Sequence, residues 1–313
     1  MINTTKSVAL FGATGTIGRA TARALIDDGH RVTCVLRAGS DGRGLHDNAA
    51  VWRGDLADVN LAGMDAVVSC LASRTGTPRD AWAVDHDLHL NILNAAKSAG
   101  VSQLVLLSAI CVQKPLLGFQ QAKLAFERTL QTSGLTHSIV RPTAFFKSLS
   151  GQVKRVQNGK PFLLFGDGLG TACKPISDRD LGRYLSLCLT DPDLQNRVLP
   201  IGGPGPAITP RAQGTMIFEI AGVEPKFRSL PIWVMDGIIK GLAVAGRFNA
   251  TLRDKAELAR IGRYYATESM LVWDGARYDV DGTPSFGSDT LRDHYRALIA
   301  GDVAADLGDH AVF

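Results

Sequence analysis

Three glycines frame the first stretch of chain that could do chemistry. Gly12-Ala13-Thr14-Gly15-Thr16-Ile17-Gly18 directly follows the apolar run Val8-Ala9-Leu10-Phe11 and opens a helix-period segment. In that setting Gly12 permits a tight turn, Gly15 lets backbone approach a pyrophosphate, and Gly18 lets the helix pack closely on the strand. The helix start, with Thr14, Thr16 and Ile17 beside the glycines, offers free N–H groups and a positive dipole end to phosphates. Arg37 stands 19 residues past Gly18, where an acidic residue would hold the ribose 2′-hydroxyl of NAD. A guanidinium instead fits a 2′-phosphate in a bidentate fork, so the expected cofactor is NADPH, with Arg19 placed to assist. Asp55, in Arg53-Gly54-Asp55-Leu56, fits either an adenine contact or the cap of the next segment.

The GxxGxxG spacing with Arg37 and the Arg-Gly-Asp-Leu segment resembles the extended or atypical short-chain dehydrogenases/reductases. Most active members carry a serine and a Tyr-x-x-x-Lys pair, whose lysine holds the nicotinamide ribose and lowers the tyrosine pKa. Ser108 ends a strand-like run at the expected place, and Lys123 has the right spacing in Phe119-Gln120-Gln121-Ala122-Lys123. Phenylalanine stands where the tyrosine should be. Without a phenol there is no ready proton donor for a carbonyl oxygen, which disfavours alcohol–ketone chemistry and sugar-nucleotide epimerisation. Two readings stay open at this point. The chain is either a non-catalytic NADP(H)-sensing regulator of the NmrA type, or a reductase acting on a group that needs no acid at an oxygen.

The elements that would position these residues are legible in the first half. Apolar or β-branched runs at 7–11, 31–36, 66–69, 103–108 and 138–140 alternate with helix-period segments at 17–28, 85–99 and 120–133. Runs such as VALF, AVVSCL and LVLLS read as strands buried on both faces of a parallel sheet. The expectation is an α/β fold, a doubly wound parallel Rossmann sheet over 1–143 that binds NADP, with a smaller C-terminal substrate lobe over 144–313. Of the 33 glycines among 313 residues, 20 fall after residue 150, in turns such as 165–170 and 201–206.

Composition excludes several other classes. Apolar residues make up 45% and charged residues 20%, so the chain can build a core and is not disordered. A net charge of +4 without a long basic run argues against nucleic acid. The five cysteines are scattered, with no CxxC, which reads as reduced thiols rather than a disulfide framework or a metal site. A strand begins within seven residues of the start, so a cytoplasmic chain without signal or transit peptide is expected. His86 and His89, with Asp85 and Asp87, read as a solvated helix face, and no metal is expected. Ser177 and Asp180 read as a helix start.

The second half carries a closer resemblance. Arg141-Pro-Thr-Ala-Phe-Phe-Lys-Ser148, Phe165-Gly-Asp-Gly168, Cys173-Lys-Pro-Ile-Ser177, Leu199-Pro-Ile-Gly-Gly-Pro-Gly205, and the segment from Ile261 through Tyr264-Tyr265 to Met270 look like the NADPH-type divinyl (proto)chlorophyllide a 8-vinyl reductases. The 119–123 segment, 283–291 and Ala311-Val-Phe313 match as well, so the missing tyrosine is a family trait. The resemblance implies reduction of the 8-vinyl group of a chlorophyll-precursor tetrapyrrole to ethyl, with Lys123 orienting NADPH. Phe145, Phe146, Lys147, Cys173, Lys174 and Arg263 are the expected substrate residues, and Tyr264 or Tyr265 the expected proton donor. The apolar segment 230–246 reads as a lid over the pigment in preference to a peripheral membrane contact, and neither motif nor composition speaks to oligomeric state. Replacing Arg37 with Asp should weaken NADPH binding about tenfold or more and shift preference toward NADH; unchanged preference in a cofactor titration would contradict the 2′-phosphate assignment.

Overall fold

The computed structural model describes residues 5–247 and 249–302; Ala311-Val-Phe313 lie outside the described residues. The elements in chain order begin β1 (Ser7–Phe11), α1 (Thr16–Asp27), β2 (Arg31–Arg37), β3 (Ala50–Gly54), β4 (Ala66–Ser69), α2 (Pro78–Ala81), a π-helical turn (Trp82–Leu88) and α3 (His89–Ser98). They continue through β5 (Gln103–Leu107), α4 (Gly118–Gln131), β6 (Thr136–Pro142), α5 (Val153–Gln157), β7 (Phe162–Phe165), α6 (Asp178–Leu187) and β8 (Arg197–Ile201). The last are α7 (Pro210–Ala221), β9 (Phe227–Leu230), α8 (Ile232–Ala245), α9 (Ala250–Thr267), β10 (Val272–Trp273), β11 (Tyr278–Asp279) and α10 (Leu291–Ala300).

The chain forms two compact units, 1–73 with 78–142 and 178–201, and 74–77 with 143–177 and 202–313. Apart from the short segment 74–77, the crossing at 142/143 falls beside the boundary read from the sequence, but α6 and β8 return to the first unit. The reason is sheet completion: β8 lies in register along β6, with Ile139 opposite Val198 and Val140 opposite Leu199. A strand written Arg-Val-Leu-Pro-Ile among glycine-rich turns carries too short a pattern to declare its partner.

The first unit is the doubly wound sheet, seven parallel strands in the order β3-β2-β1-β4-β5-β6-β8. β1 and β4 bury every residue, as their unbroken apolar runs require. Phe11, Val67, Leu104, Ile92, Phe126 and Ile139 belong to one core between sheet and helices. On the opposite face, contact is close because glycine allows it. A Cβ on Gly182 of α6 would sit 2.6 Å from the Ala20 carbonyl carbon of α1.

The second unit is described by itself. α5, α7 and α10 enclose a core of Phe146, Phe162, Leu164, Phe218, Leu291 and Tyr295, with β7 and β9 paired in parallel beside it. α8 packs against α9. Ser177 precedes α6 as expected of a helix start, and its hydroxyl donates to Asp289 at 2.8 Å.

Gly182→Ala should destabilise the first unit by about 1–3 kcal/mol, because the added methyl meets backbone that cannot move aside. Thermal unfolding reads this directly, and an unchanged melting temperature would contradict the α1–α6 contact.

Candidate active site and its family

The dinucleotide end of the site is built by β1 and α1. Gly12 takes a φ of +74°, the left-handed region that glycine occupies without strain. A Cβ on Gly18 would lie 2.0 Å from the Gly12 carbonyl oxygen, so the helix can start this close only with glycine there. Gly15, the N-cap of α1, is exposed and has no side-chain cap, which leaves the helix N–H groups available to an anion. Thr14, Thr16 and Ile17 sit at the same turn, and the cradle fits a pyrophosphate.

Arg37 closes β2 with its side chain exposed. Two further guanidinium groups reach the loop after it. Arg53 donates from Nε to the Ser40 carbonyl at 3.3 Å, and Arg19 lies where a Cβ on Gly44 would be 3.2 Å from its Nε. Arg53 had been legible only as part of the segment around Asp55. Asp55 itself is exposed and its carbonyl accepts from the Asp58 N–H at 3.1 Å, opening a short helical turn.

α4 carries Phe119, Lys123 and Glu127. Phe119, Ala122, Phe126 and Leu130 turn its apolar face into the core, so the phenylalanine in the tyrosine position is a buried packing residue. Lys123 Nζ donates to Asp85 Oδ1 at 2.9 Å, with both side chains largely shielded from water. One turn on, Glu127 is 1% exposed; it accepts from the Ser108 hydroxyl and from the Arg141 guanidinium. Ser108 is thus buried and held by a carboxylate.

This corrects the reading of 85–89. Asp85 and His89 point inward, while His86 and Asp87 form the surface pair at 2.7 Å. Ala81, Asp85, His89, Ile92 and Ala96 follow one another at three- and four-residue steps and are all buried, so the two polar side chains continue an apolar face that their residue types alone did not suggest. His89 Nδ1–H donates to the Val84 carbonyl and its Nε2 accepts from Ser69 Oγ, both at 2.8 Å. Burial, and next the Lys123 charge, push its pKa down to about 4.

The substrate residues read from the sequence divide. Phe146 is in the core of the second unit against His294, at 5.4 Å between rings, and packs there rather than on the surface. The Cys173 thiol is buried, which pushes its pKa up to about 12, and its backbone bridges to Ile208 and Met270. Lys174 Nζ donates to the Thr283 carbonyl at 2.8 Å, and Arg263 pairs with Asp236. Both charges are therefore committed inside the unit. Phe145 and Lys147 are half-buried. Tyr264 is 4% exposed and Tyr265 41%, with rings edge-to-face at 5.7 Å, so the two neighbours diverge as adjacent helical residues must.

The NAD(P)H-binding family matches residues 12–192. A divinyl chlorophyllide a 8-vinyl-reductase of Cucumis sativus is 45% identical over 98% of this chain and 80% of its own length. The chain belongs to that reductase family. The corresponding protein of Oryza sativa subsp. indica is 46% identical over 98% of this chain and 82% of its own. An NADPH-dependent quinone oxidoreductase of Escherichia coli, solved with NADPH, shares the fold at a TM-score of 0.68 and 16% identity, covering 93% of this chain and 99% of that one. The plant relatives are chloroplastic and extend beyond the matched part, so the expectation of a chain without a transit peptide is not borne out. No helix among the described residues is long and apolar enough to cross a membrane.

His89 is neutral when folded, with its pKa depressed, and takes a proton near 6.5 when unfolded. As pH falls below 6.5 the unfolded state therefore binds the proton first, and stability drops until about pH 4. This group's slope is at most ~1.4 kcal/mol per pH unit. Denaturant titrations across that window should show the loss, and His89→Gln should flatten it.

Proposed function

We propose that the protein reduces the 8-vinyl group of divinyl chlorophyllide a, or of divinyl protochlorophyllide a, to ethyl at the expense of NADPH. The carrying observation is identity of about 45% with named 8-vinyl-reductases over nearly the whole chain. The site chemistry agrees, because a lysine without a tyrosine suits this reaction. NADPH, when bound, supplies a hydride to the terminal vinyl carbon. The developing carbanion delocalises into the macrocycle, and one proton at the inner carbon completes the ethyl group. No oxygen becomes charged, so no strong acid is required beside it.

The chain's own residues divide the remaining work. The 12–18 cradle holds the pyrophosphate, with the N-terminus of α1 behind it. Arg37, with Arg19 and Arg53 around the following loop, selects the 2′-phosphate, while Asp55 serves the adenine end. Lys123 orients the nicotinamide ribose, and Ser108, fixed by Glu127, lines the same floor. Tyr265 is the tyrosine a ligand can reach, and it or water delivers the proton. Phe145 and Lys147 contribute the substrate surface.

In the second unit, α8 leaves Trp233 at 72% exposure, Ile238 at 53% and Val244 at 60%. That apolar surface suits a flat pigment, as a lid, or peripheral contact with the membrane that carries the pigment. A non-catalytic NADP(H) sensor is the second reading, favoured by the absent phenol alone. Purified protein incubated with divinyl chlorophyllide a and NADPH should yield the monovinyl pigment by chromatography. Bound NADPH with no monovinyl product would favour the sensor.

A further inference from the structure

Asp85 lies in the first unit, inside the π-helical turn, and its position is fixed from several directions. Its Oδ1 accepts from the Ser73 backbone N–H at 3.2 Å and from Lys123 Nζ at 2.9 Å. The next element is pinned by His89, which binds Val84 behind the turn and Ser69 at the end of β4. Asp85 is 2% exposed, and its Oδ2 has no hydrogen-bond partner among the described residues.

That arrangement is a poor way to gain stability. A buried ion pair repays its desolvation only when its remaining lone pairs are satisfied, and an apolar pair of similar volume would cost less. Nor does another group balance the lysine. His89 is neutral, and Glu127 is committed to Arg141 and Ser108. The cavity that Lys123, Asp85, His89, Ser108 and Phe126 line measures about 10 Å³, room for one water at most. A lysine stem has several rotatable bonds, so an ammonium in this place needs a fixed counter-charge to hold one position.

We infer that Asp85 is a positioning residue for the reaction, acting through Lys123 to hold its ammonium where the nicotinamide ribose of NADPH binds. The inference rests on the reading of Lys123 as the cofactor lysine. Asp85 shares the buried face of Ala81 and His89, and its carboxylate there meets Lys123 of α4. The buried orphan oxygen is the cost of placing a counter-charge there.

A double-mutant cycle on the full chain tests it, with NADPH affinity read by fluorescence titration and folding by circular dichroism and thermal melts. K123A should weaken NADPH binding about tenfold or more, since it removes a charged hydrogen bond. D85N should weaken it several-fold with the fold intact, and D85N in the K123A background should add nothing. D85E, which keeps the charge, should retain most of the affinity. If D85N does not fold, D85S takes its place in the cycle. Wild-type affinity in D85N while K123A is weakened would overturn the role of Asp85 alone, as would losses that multiply in the double variant. Wild-type affinity in K123A would overturn the reading of Lys123 and the inference with it.

Discussion

The approach of α1 to the end of β1 sets the terms for everything downstream. Gly18 could not carry a Cβ, because it would sit 2.0 Å from the Gly12 carbonyl oxygen. Helix N-terminus and strand end are therefore pressed together, and the positive end of α1 lies at the carboxyl edge of the sheet, where ligands of doubly wound folds bind. The same helix is clamped from its other side through Gly182 of α6. This also explains why the chain returns to the first unit after residue 177: α6 braces the cradle helix, and β8 then completes the sheet.

α4 is the second organising element. Its apolar face, from Phe119 to Leu130, anchors it in the core, and the charged groups it carries are placed by that anchoring. Lys123 meets Asp85, while Glu127 ties Ser108 to Arg141. Phenylalanine at 119 leaves the helix without a phenol proton donor there, while Lys123 stays beside Asp85. A hydride acceptor conjugated to a macrocycle tolerates that absence, because its negative charge spreads over carbon rather than settling on one oxygen.

Much of this was legible in the residues. Strands such as β1 and β4 were plain because both their faces are buried, and the glycine spacing could be assigned because it falls between a strand and a helix. The place of Arg37 at the end of β2 was readable from its distance to the glycines alone. Asp85 and His89 were not, since carboxylate and imidazole side chains are mostly solvated and only the four-residue steps from Ala81 through Asp85 to His89 marked a buried face. Glu127 gave no signal beyond sharing a helix face with Lys123, and a lone carboxylate at that spacing is usually solvated. In the second half, aromatic content could not separate core from ligand surface. Phe146 resembles a stacking residue as a sequence and is a packing residue in the fold. Arg263 and Lys174 looked like free cations until their partners, Asp236 and the Thr283 carbonyl, came from elements distant in the chain.

The central claim is that the nicotinamide hydride goes to the vinyl group itself. The most direct measurement uses NADPH carrying deuterium at both C4 positions, with divinyl chlorophyllide a as acceptor, and examines the product by mass spectrometry and NMR. The account predicts one deuterium per monovinyl product, on the terminal carbon of the 8-ethyl group, with the other new hydrogen drawn from solvent. An ethyl group free of deuterium would contradict it.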